Sequence, residues 1–284
     1  MVLVSATAFG TNAILAKFAY RAGLGTSQTL AFRFVLAAIG MWALALVLRQ
    51  NPLRFSRRQL ILLLALGGVS YTGQSLSYFT ALQTLPASLC VLIAYIYPSL
   101  VVIAGWLFLR RTVSEWQGVA LVASFVGVAL LVGGAELRLG WSLLFAIAAP
   151  TIYTGYILVG ENVMGGSVPA VGASAVIMAG AGIAFCFIAA FQRQLTLPAT
   201  TEGWVVAFAI ALIPTMIAIS LFLAGLPRIG AARSSLISTW EPVVTVILAA
   251  ALLGDRFSLL QALGGVLVLV AVVVVQSAPA RRSG

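Results

Sequence analysis

Long apolar runs fill most of the chain, and the polar residues collect in short gaps between them. A run of about 20 apolar residues is long enough for a helix to cross the hydrocarbon core of a bilayer. The runs show no alternation of apolar and polar positions, so a membrane-spanning barrel is excluded and helices remain. The pattern predicts an all-α membrane protein with ten transmembrane helices at residues 2–20, 27–48, 59–82, 87–109, 115–133, 140–159, 169–191, 203–225, 231–253 and 257–276.

The pattern recurs 144 residues further along the chain, the offset that places Pro98 on Pro242. The same offset pairs Ala87 with Ala231, Leu92-Ile93 with Leu236-Ile237, Ser114 with Ser258 and Gln117 with Gln261. Each half then holds five helices, and because five is odd the second half enters the membrane from the opposite side. We expect two inverted five-helix repeats, residues 1–139 and 140–284, that form one membrane domain with a site near the midplane.

The composition also indicates a membrane protein, since 62% of the residues are hydrophobic and only 8% are charged. Soluble domains carry about 25% charged residues. The net charge of +10 comes mainly from arginines in the short gaps, so we expect it to orient the chain rather than to bind nucleic acid. The predominance of arginine over lysine hints at a GC-rich bacterial source.

The positive-inside rule sets the predicted orientation. Cytoplasmic termini place nine arginines in inner segments and four in outer ones, a clear excess on the inside. The inner residues are Arg49, Arg54, Arg57, Arg58, Arg110, Arg111, Arg228, Arg281 and Arg282, and the outer ones are Arg21, Arg138, Arg193 and Arg256. We expect a multi-pass protein of the bacterial inner membrane with both termini in the cytoplasm.

The predicted ninth helix carries Glu241 and Pro242 near its middle. A carboxylate at that depth costs about 2.5–3.5 kcal/mol on insertion scales, so it usually faces a wet cavity or the bundle interior. Proline lacks an N–H group, and we expect the helix to open at Ser238–Thr239, with the freed carbonyls bonded to a neighbouring helix or water. The pair indicates either a transport site or a proline kink beside a hydrogen-bonded structural glutamate.

Aromatic and polar side chains at helical spacing complete the candidate site. Tyr71, Gln74 and Tyr78 share one face of the third helix, and aromatic rings with hydroxyls suit an apolar substrate with a polar end. Helix packing is the alternative for all of them, and for Asn12 the alternative is an interhelical hydrogen bond. The predicted substrate-binding residues are Glu241, Tyr78, Gln74, Tyr71, Tyr95, Tyr97, Ser99, Trp240, Tyr153, Tyr156 and Asn12, with Pro98 and Pro242 as gating breaks.

Lys17 lies near the outer end of the first predicted helix, and Arg33 lies inside the second. Long cationic side chains reach back to the membrane interface, so we expect both to serve as anchors. With Arg233, they are the residues that could instead hold a phosphate in a central cavity.

Several stretches resemble one family. Phe32-Arg33-Phe34-Val35-Leu36-Ala37 resembles the second helix, and Tyr78-Phe79-Thr80-Ala81-Leu82 the end of the third helix, of EamA-type members of the drug/metabolite transporter superfamily. Ile219–Asp255, which ends in EPVVTVILAAALLGD, is similar to their eighth and ninth helices. The first half departs from the family, with Leu109-Arg110-Arg111 at the expected Leu-Gly-Glu and Tyr97-Pro98 at the expected acid-Pro pair. Only Glu241 therefore carries over as the acidic residue.

The resemblance implies ten helices in two inverted repeats and export of amino acids or other small metabolites across the inner membrane. Aromatic and neutral amino-acid exporters look closest, because aromatic residues lie at the helix centres. Exporters of drugs, sugars or nucleotide-type metabolites in the same superfamily are the alternative.

The leading hypothesis is thus a secondary transporter that works by alternating access on a small-molecule substrate in a lipid bilayer. Direction and coupling stay open, including exchange for protons at Glu241. Lys17 is the only lysine, so no phosphate-binding P-loop is present. A passive channel would need a continuous polar stripe, which these helices lack. We expect a monomer, because a chain that fuses both halves has no symmetry need to dimerise.

An enzyme is the hypothesis from another class, and the sequence argues against it. The chain has no histidine, which removes most metalloprotease and serine-protease chemistry, and Glu241 is the only deep acid. The two cysteines, Cys90 and Cys186, lie in apolar runs and cannot form a structural zinc site. We therefore expect no catalytic residues, no metal and no cofactor.

Overall fold

The computed structural model describes residues 1–110, 112–133, 140–164, 168–229, 231–256 and 258–277. Arg111, Arg138, Arg281 and Arg282, and the predicted repeat boundary at residue 139, lie outside these residues. The described part of the chain is helical and contains no strand. It holds ten spans long and apolar enough to cross a membrane: Val2–Arg21, Thr26–Val47, Arg57–Leu82, Ala87–Leu109, Glu115–Gly133, Trp141–Glu161, Ala170–Phe191, Thr201–Leu226, Leu236–Leu253 and Leu259–Ser277. The predicted all-α fold with ten spans is confirmed.

Two spans break where the prolines predict. The fourth consists of Ala87–Ala94 and Tyr97–Leu109. The helix Ala231–Ser238 runs into the ninth span, which turns at Thr239 and continues as Trp240–Leu248. Pro98 is the second residue and Pro242 the third residue of its second helix, within the first turn, where the missing N–H group costs least. The sequence-based expectation of an opening at Ser238–Thr239 is confirmed.

Helix bounds recur 144 residues apart. The second and seventh spans are Thr26–Val47 and Ala170–Phe191, and the fifth and tenth are Glu115–Gly133 and Leu259–Ser277. The left-handed residue after the second span, Arg49, has its mate in Arg193, both with φ of 56°. A duplicated five-helix unit would produce these shared bounds, and the inversion of the second unit stays a prediction.

Matched capping boxes explain two identities in the repeat. The Ser114 N–H donates to Gln117 Oε1 (3.0 Å), and the Gln117 N–H donates to Ser114 Oγ (3.3 Å). Ser258 and Gln261 make the same pair of bonds, at 2.9 and 3.2 Å. Such reciprocal bonds satisfy two N–H groups that the start of a helix leaves unpaired.

The third and eighth spans each contain a π-helical turn, at Leu66–Tyr71 and Leu212–Ile217. In each, a threonine hydroxyl donates to a carbonyl five residues earlier: Thr72 to Gly67 (2.9 Å) and Thr215 to Ile210 (2.9 Å). Such turns are common at functional sites because they rotate the side chains that follow. Tyr71 and Thr215 are both used in the site described below.

The first span is also interrupted, at Thr11, between Val2–Gly10 and Asn12–Arg21. The Thr245 hydroxyl donates to the backbone oxygen of Gly10 (2.9 Å), so the ninth span fastens to this interruption. The break places Asn12 at the start of a new helix facing the interior.

The fifth and tenth spans pack closely on each other. A side chain on Gly127 would meet the backbone oxygen of Gly264 at 2.9 Å, so only glycine allows this approach. Small residues at such crossings are the usual means of helix association in membranes.

At the end of the bundle that we predict to be periplasmic, side chains at the starts of the second and fourth spans bond to residues that follow the seventh and ninth spans. We call Ser27, Gln28, Ser88, Gln192, Thr196 and Asp255 the interloop cluster. Ser27 donates to Gln192 Oε1 (2.7 Å), Gln28 Nε2 to the Thr196 carbonyl (2.7 Å), and Ser88 Oγ to Asp255 Oδ2 (2.7 Å). Ser27 and Ser88 are each only 2% exposed, so the cluster joins the connections tightly.

Candidate functional site

A cavity of about 350 Å³ lies among the spans and collects most of the predicted site. Eight of the ten spans contribute to its wall, and the fifth and tenth do not. Nine of the eleven predicted binding residues line it: Asn12, Tyr71, Gln74, Tyr78, Tyr95, Tyr97, Tyr153, Tyr156 and Glu241. That they contact a substrate stays a prediction.

A chain of aromatic rings forms one wall of this cavity. Tyr97 lies edge-on to Tyr153 with ring centroids 5.1 Å apart, and Tyr153 stacks on Tyr156 at 5.5 Å. Tyr156 in turn contacts Tyr71 at 5.3 Å. The rings belong to the fourth, sixth and third spans, so they offer a continuous apolar surface with hydroxyl groups along it.

Glu241 is placed by the break in the ninth span. It lies in the first turn of Trp240–Leu248, where the positive end of the helix dipole favours a carboxylate. Its Oε2 atom accepts a hydrogen bond from the Tyr95 hydroxyl at 2.9 Å, across the bundle from the fourth span. The side chain is only partly buried, because it lines the cavity.

Tyr95 also supplies the partner that the proline requires. Its hydroxyl lies 2.9 Å from the backbone oxygen of Ser238. That carbonyl stands four residues before Pro242, whose missing N–H group would have paired with it in an unbroken helix. The expectation that a neighbouring helix satisfies the freed carbonyl is confirmed, and one hydroxyl serves both Ser238 and Glu241.

Arg33 corrects a sequence-based expectation, because it does not reach the membrane interface. It is 5% exposed and lines the cavity. Its Nε donates to Thr215 Oγ1 at 2.9 Å, and its guanidinium carbon lies 5.0 Å from the Phe34 ring centroid and 5.5 Å from that of Phe79. The neighbouring phenylalanines in the sequence were the available signal, since Arg favours aromatic faces. Lys17 does not line the cavity, and the side chain of Arg233 lies outside the described residues.

Two predicted binding residues lie elsewhere. Ser99 is fully buried, 2.7 Å from the hydroxyl of Ser124, and joins the fourth span to the fifth. The helix breaks between Tyr95 and Ser99, so these residues do not share a face although they are four positions apart. Trp240 is 41% exposed on the outer surface, and its Nε1 donates to Thr7 Oγ1 at 3.2 Å. One residue of helix turns it about 100° away from Glu241.

Asn12 lines the cavity with its amide oxygen unused. Its Oδ1 atom is buried and has no hydrogen-bond partner within the described residues. The alternative of a satisfied interhelical bond through that oxygen is therefore not supported. A buried acceptor of this kind needs a ligand group or a water molecule.

A larger hollow lies on the outer surface between the second and seventh spans. Its volume is about 490 Å³, and apolar residues such as Val35, Ile183 and Phe187 line it. A groove without polar groups suits lipid tails and offers nothing to orient a polar substrate. No cluster of three potential metal-ligating acids or cysteines occurs in the parts of the chain the structure describes.

Comparison with known proteins agrees with this architecture. The sequence profile of the EamA-like transporter family matches residues 1–133 and 140–277. The chain is 26% identical over 276 residues to the uncharacterized transporter YcbK of Bacillus subtilis, covering 93% of this chain and 87% of that one. It is 25% identical over 299 residues to the uncharacterized inner membrane transporter YicL of Salmonella typhimurium, covering 99% and 96%.

The fold also matches a solved structure described as "Crystal structure of protein". The TM-score is 0.71 at 19% identity, and the match covers 99% of this chain and 97% of the other. A likeness at that identity supports the fold alone. The family profile covers nearly the whole chain, and the protein therefore belongs to the EamA-like transporter family of membrane transporters.

Proposed function

We propose that this transporter exports amino acids, aromatic or other neutral ones, and related small metabolites across the bacterial inner membrane. The observation that carries the proposal is an aromatic cavity with a single carboxylate, Glu241, held at a helix break by Tyr95. The rings provide an apolar surface for a side chain, and the carboxylate provides a partner for an ammonium group.

The size of the cavity favours a small substrate. Ligand pockets usually measure about 300–1,000 Å³, and this one, at about 350 Å³, lies at the low end. A single amino acid is consistent with that volume, whereas a bulky drug would need the walls to separate. A nucleotide-type substrate would place several phosphate charges beside one described cation of the cavity wall, Arg33.

The breaks offer a route for alternating access. Each interrupted span has two helical pieces joined by a turn, at Tyr95–Ile96 and at Thr239. Short turns of this kind absorb changes in backbone angle while the helices on either side stay rigid. One bundle can then rock against the other around the central cavity, and Pro98 and Pro242 keep their role as gating breaks in this proposal.

Proton exchange at Glu241 follows from a count of hydrogen atoms. The Tyr95 hydroxyl carries one hydrogen, yet Ser238 O and Glu241 Oε2 both lie 2.9 Å away. When the carboxyl is protonated, it donates to Tyr95 and Tyr95 donates to Ser238, so every group is satisfied. When the carboxyl is ionised, it needs a further donor, which a substrate ammonium would supply. Proton and substrate would thus alternate at one carboxylate.

The test is uptake into proteoliposomes with radiolabelled amino acids, nucleosides and sugars, with and without a pH gradient. We expect phenylalanine or another neutral amino acid to accumulate in the vesicles. An antiporter should take it up faster when the interior is more acidic than the outside, because protons then leave as the substrate enters. Glu202→Gln serves as the matched control, since Glu202 is exposed at the start of the eighth span. Uptake of sugars or nucleosides alone would reject the amino-acid proposal.

A further inference from the structure

Arg33 is a buried cation without a counter-ion. It is 5% exposed and lines the same cavity as Glu241. No carboxylate of the described residues forms an ion pair or hydrogen bond with it, and its polar partner among them is the neutral hydroxyl of Thr215. An isolated charge in a low-dielectric interior is unfavourable unless an opposite charge or several hydrogen bonds compensate it.

The guanidinium keeps most of its donors unused. Arginine has five N–H groups, and Thr215 takes the one on Nε. The four hydrogens on the two Nη nitrogens have no acceptor in the described part of the chain. These nitrogens are not among the sealed, unpartnered polar atoms, which are Asn12 Oδ1, Ser234 Oγ and Gln276 Oε1. The free end of the fork is therefore open to the cavity.

The surroundings of Arg33 fix its orientation. The Phe34 and Phe79 rings lie 5.0 and 5.5 Å from the guanidinium carbon, and Thr215 holds the Nε side. Cation–π contacts offset part of the burial cost and leave the planar edge free. A fixed planar fork with paired donors matches a carboxylate, which accepts two parallel hydrogen bonds.

The two charges of the cavity are held by different spans. Arg33 is fastened to the eighth span through Thr215, whereas Glu241 is fastened to the fourth through Tyr95. Tyr71 and Tyr78 line the same cavity as both residues. No ion pair joins Arg33 to Glu241 among the described contacts, so both groups stay available to a ligand.

We propose that Arg33 is an anion subsite that binds the carboxylate of the transported substrate, and that it separates carboxylated from decarboxylated ligands. The inference rests on the proposed amino-acid function and deepens it. Glu241 then binds the ammonium end, and the tyrosine rings bind the side chain. A zwitterion, which has both ends, should therefore bind more tightly than a ligand with only one of them.

The experiment measures binding of three ligands to the full chain in nanodiscs: L-phenylalanine, phenethylamine, which lacks the carboxylate, and 3-phenylpropionate, which lacks the ammonium. Arg33→Gln should weaken phenylalanine and phenylpropionate by roughly 10- to 100-fold and leave phenethylamine unchanged. Arg33→Lys, which keeps the charge but loses the fork, should fall in between. Lys17→Gln is the matched control and should alter none of the three, because Lys17 does not line the cavity.

Unchanged carboxylate binding in Arg33→Gln, or an equal loss for all three ligands, would overturn the subsite. If Arg33→Gln is not monodisperse, Thr215→Val tests the same point. It removes the hydroxyl that accepts from Arg33 Nε, so the guanidinium is held less firmly in its orientation. That variant should weaken the two carboxylates about threefold, as expected for one lost hydrogen bond, and spare phenethylamine. The same loss for phenethylamine would count against the proposal.

A wild-type protein that binds none of the three ligands would end the amino-acid function. Lactate and inorganic phosphate then probe Arg33 directly. Binding of either that disappears in Arg33→Gln keeps the anion subsite without the amino-acid function. No Arg33-dependent binding of any anion overturns both.

Discussion

The two helices that break at a proline share a frame and differ in chemistry. In the fourth span the break precedes Tyr97 and Pro98, and in the ninth the equivalent residues are Glu241 and Pro242. The proline supplies the interruption in both, while the residue before it supplies an aromatic ring in one and a carboxylate in the other. A repeated frame can therefore hold an asymmetric site, because one substitution changes what the break presents to the cavity.

The breaks are also joined to each other. Tyr95, from the first, bonds both the freed Ser238 carbonyl and the Glu241 carboxylate of the second. If either turn changes conformation, the two hydrogen bonds of Tyr95 must break, or the residues that form them must move together. The comparison therefore predicts that residues at the charged break affect coupling, whereas residues at the aromatic break affect substrate choice and positioning.

The largest effect is expected for Glu241→Gln. Loss of the carboxylate should lower net transport at least roughly 30-fold, or abolish its response to a pH gradient, because a charged partner in the cavity is removed. Proteoliposome uptake at two external pH values measures this, with equal expression checked by gel filtration. A mutant that matches the wild type at both pH values would show that the two breaks do not differ in function.

Tyr95→Phe should have the next largest effect. It removes the donor shared by Ser238 and Glu241 while keeping the ring, and we expect transport to fall roughly tenfold, as for the loss of a hydrogen bond to a charged group. Tyr97→Phe is the control at the neighbouring position, where the ring contacts Tyr153 and should suffice. Equal effects of the two substitutions would contradict the assigned role of the Tyr95 hydroxyl.

Tyr78→Ala should change substrate preference more than maximal rate. Tyr78 lines the aromatic side of the cavity and is 8% exposed, so its removal enlarges the space available to a side chain. Competition assays with phenylalanine, leucine and alanine should show relative preferences shifting severalfold, roughly the effect of one or two methylene groups in a pocket. An unchanged ranking would remove Tyr78 from the binding surface.

The smallest effect concerns the matched capping boxes. Ser114→Ala and Ser258→Ala should each reduce stability by about 1 kcal/mol, the usual loss for a helix cap, and leave transport unchanged. Thermal unfolding in detergent compares the two directly. A much larger loss at one position would show that the halves, alike in their helix bounds, do not contribute equally to stability.

Much of this fold was predictable from the sequence for simple reasons. Span length, the prolines and the helical spacing of polar residues each act locally, so the ten spans, both breaks and most cavity residues followed. One example is the helix face that carries Tyr71, Gln74 and Tyr78. The π-helical turn ends at Tyr71, and a regular helix follows, so the spacing of these residues holds.

The misses come from long-range packing. Arg33 was expected to reach the interface, and only the fold brings Thr215 and Phe79 to it. Ser99 bonds to Ser124 on the fifth span and Trp240 to Thr7 on the first, contacts that only the fold creates. The local periodicity of the sequence cannot predict how a helix rotates at a break or which distant spans come into contact.

The interloop cluster has a thermodynamic consequence. Apart from Asp255, its side chains are neutral amides and hydroxyls. When such connections part, each bond is exchanged for one to water at small net cost, and dissolved salt has few charges to screen. The bonds of the interloop cluster should therefore add little to the barrier for opening that face and little to its dependence on ionic strength, and the apolar side chains packed behind them should add more.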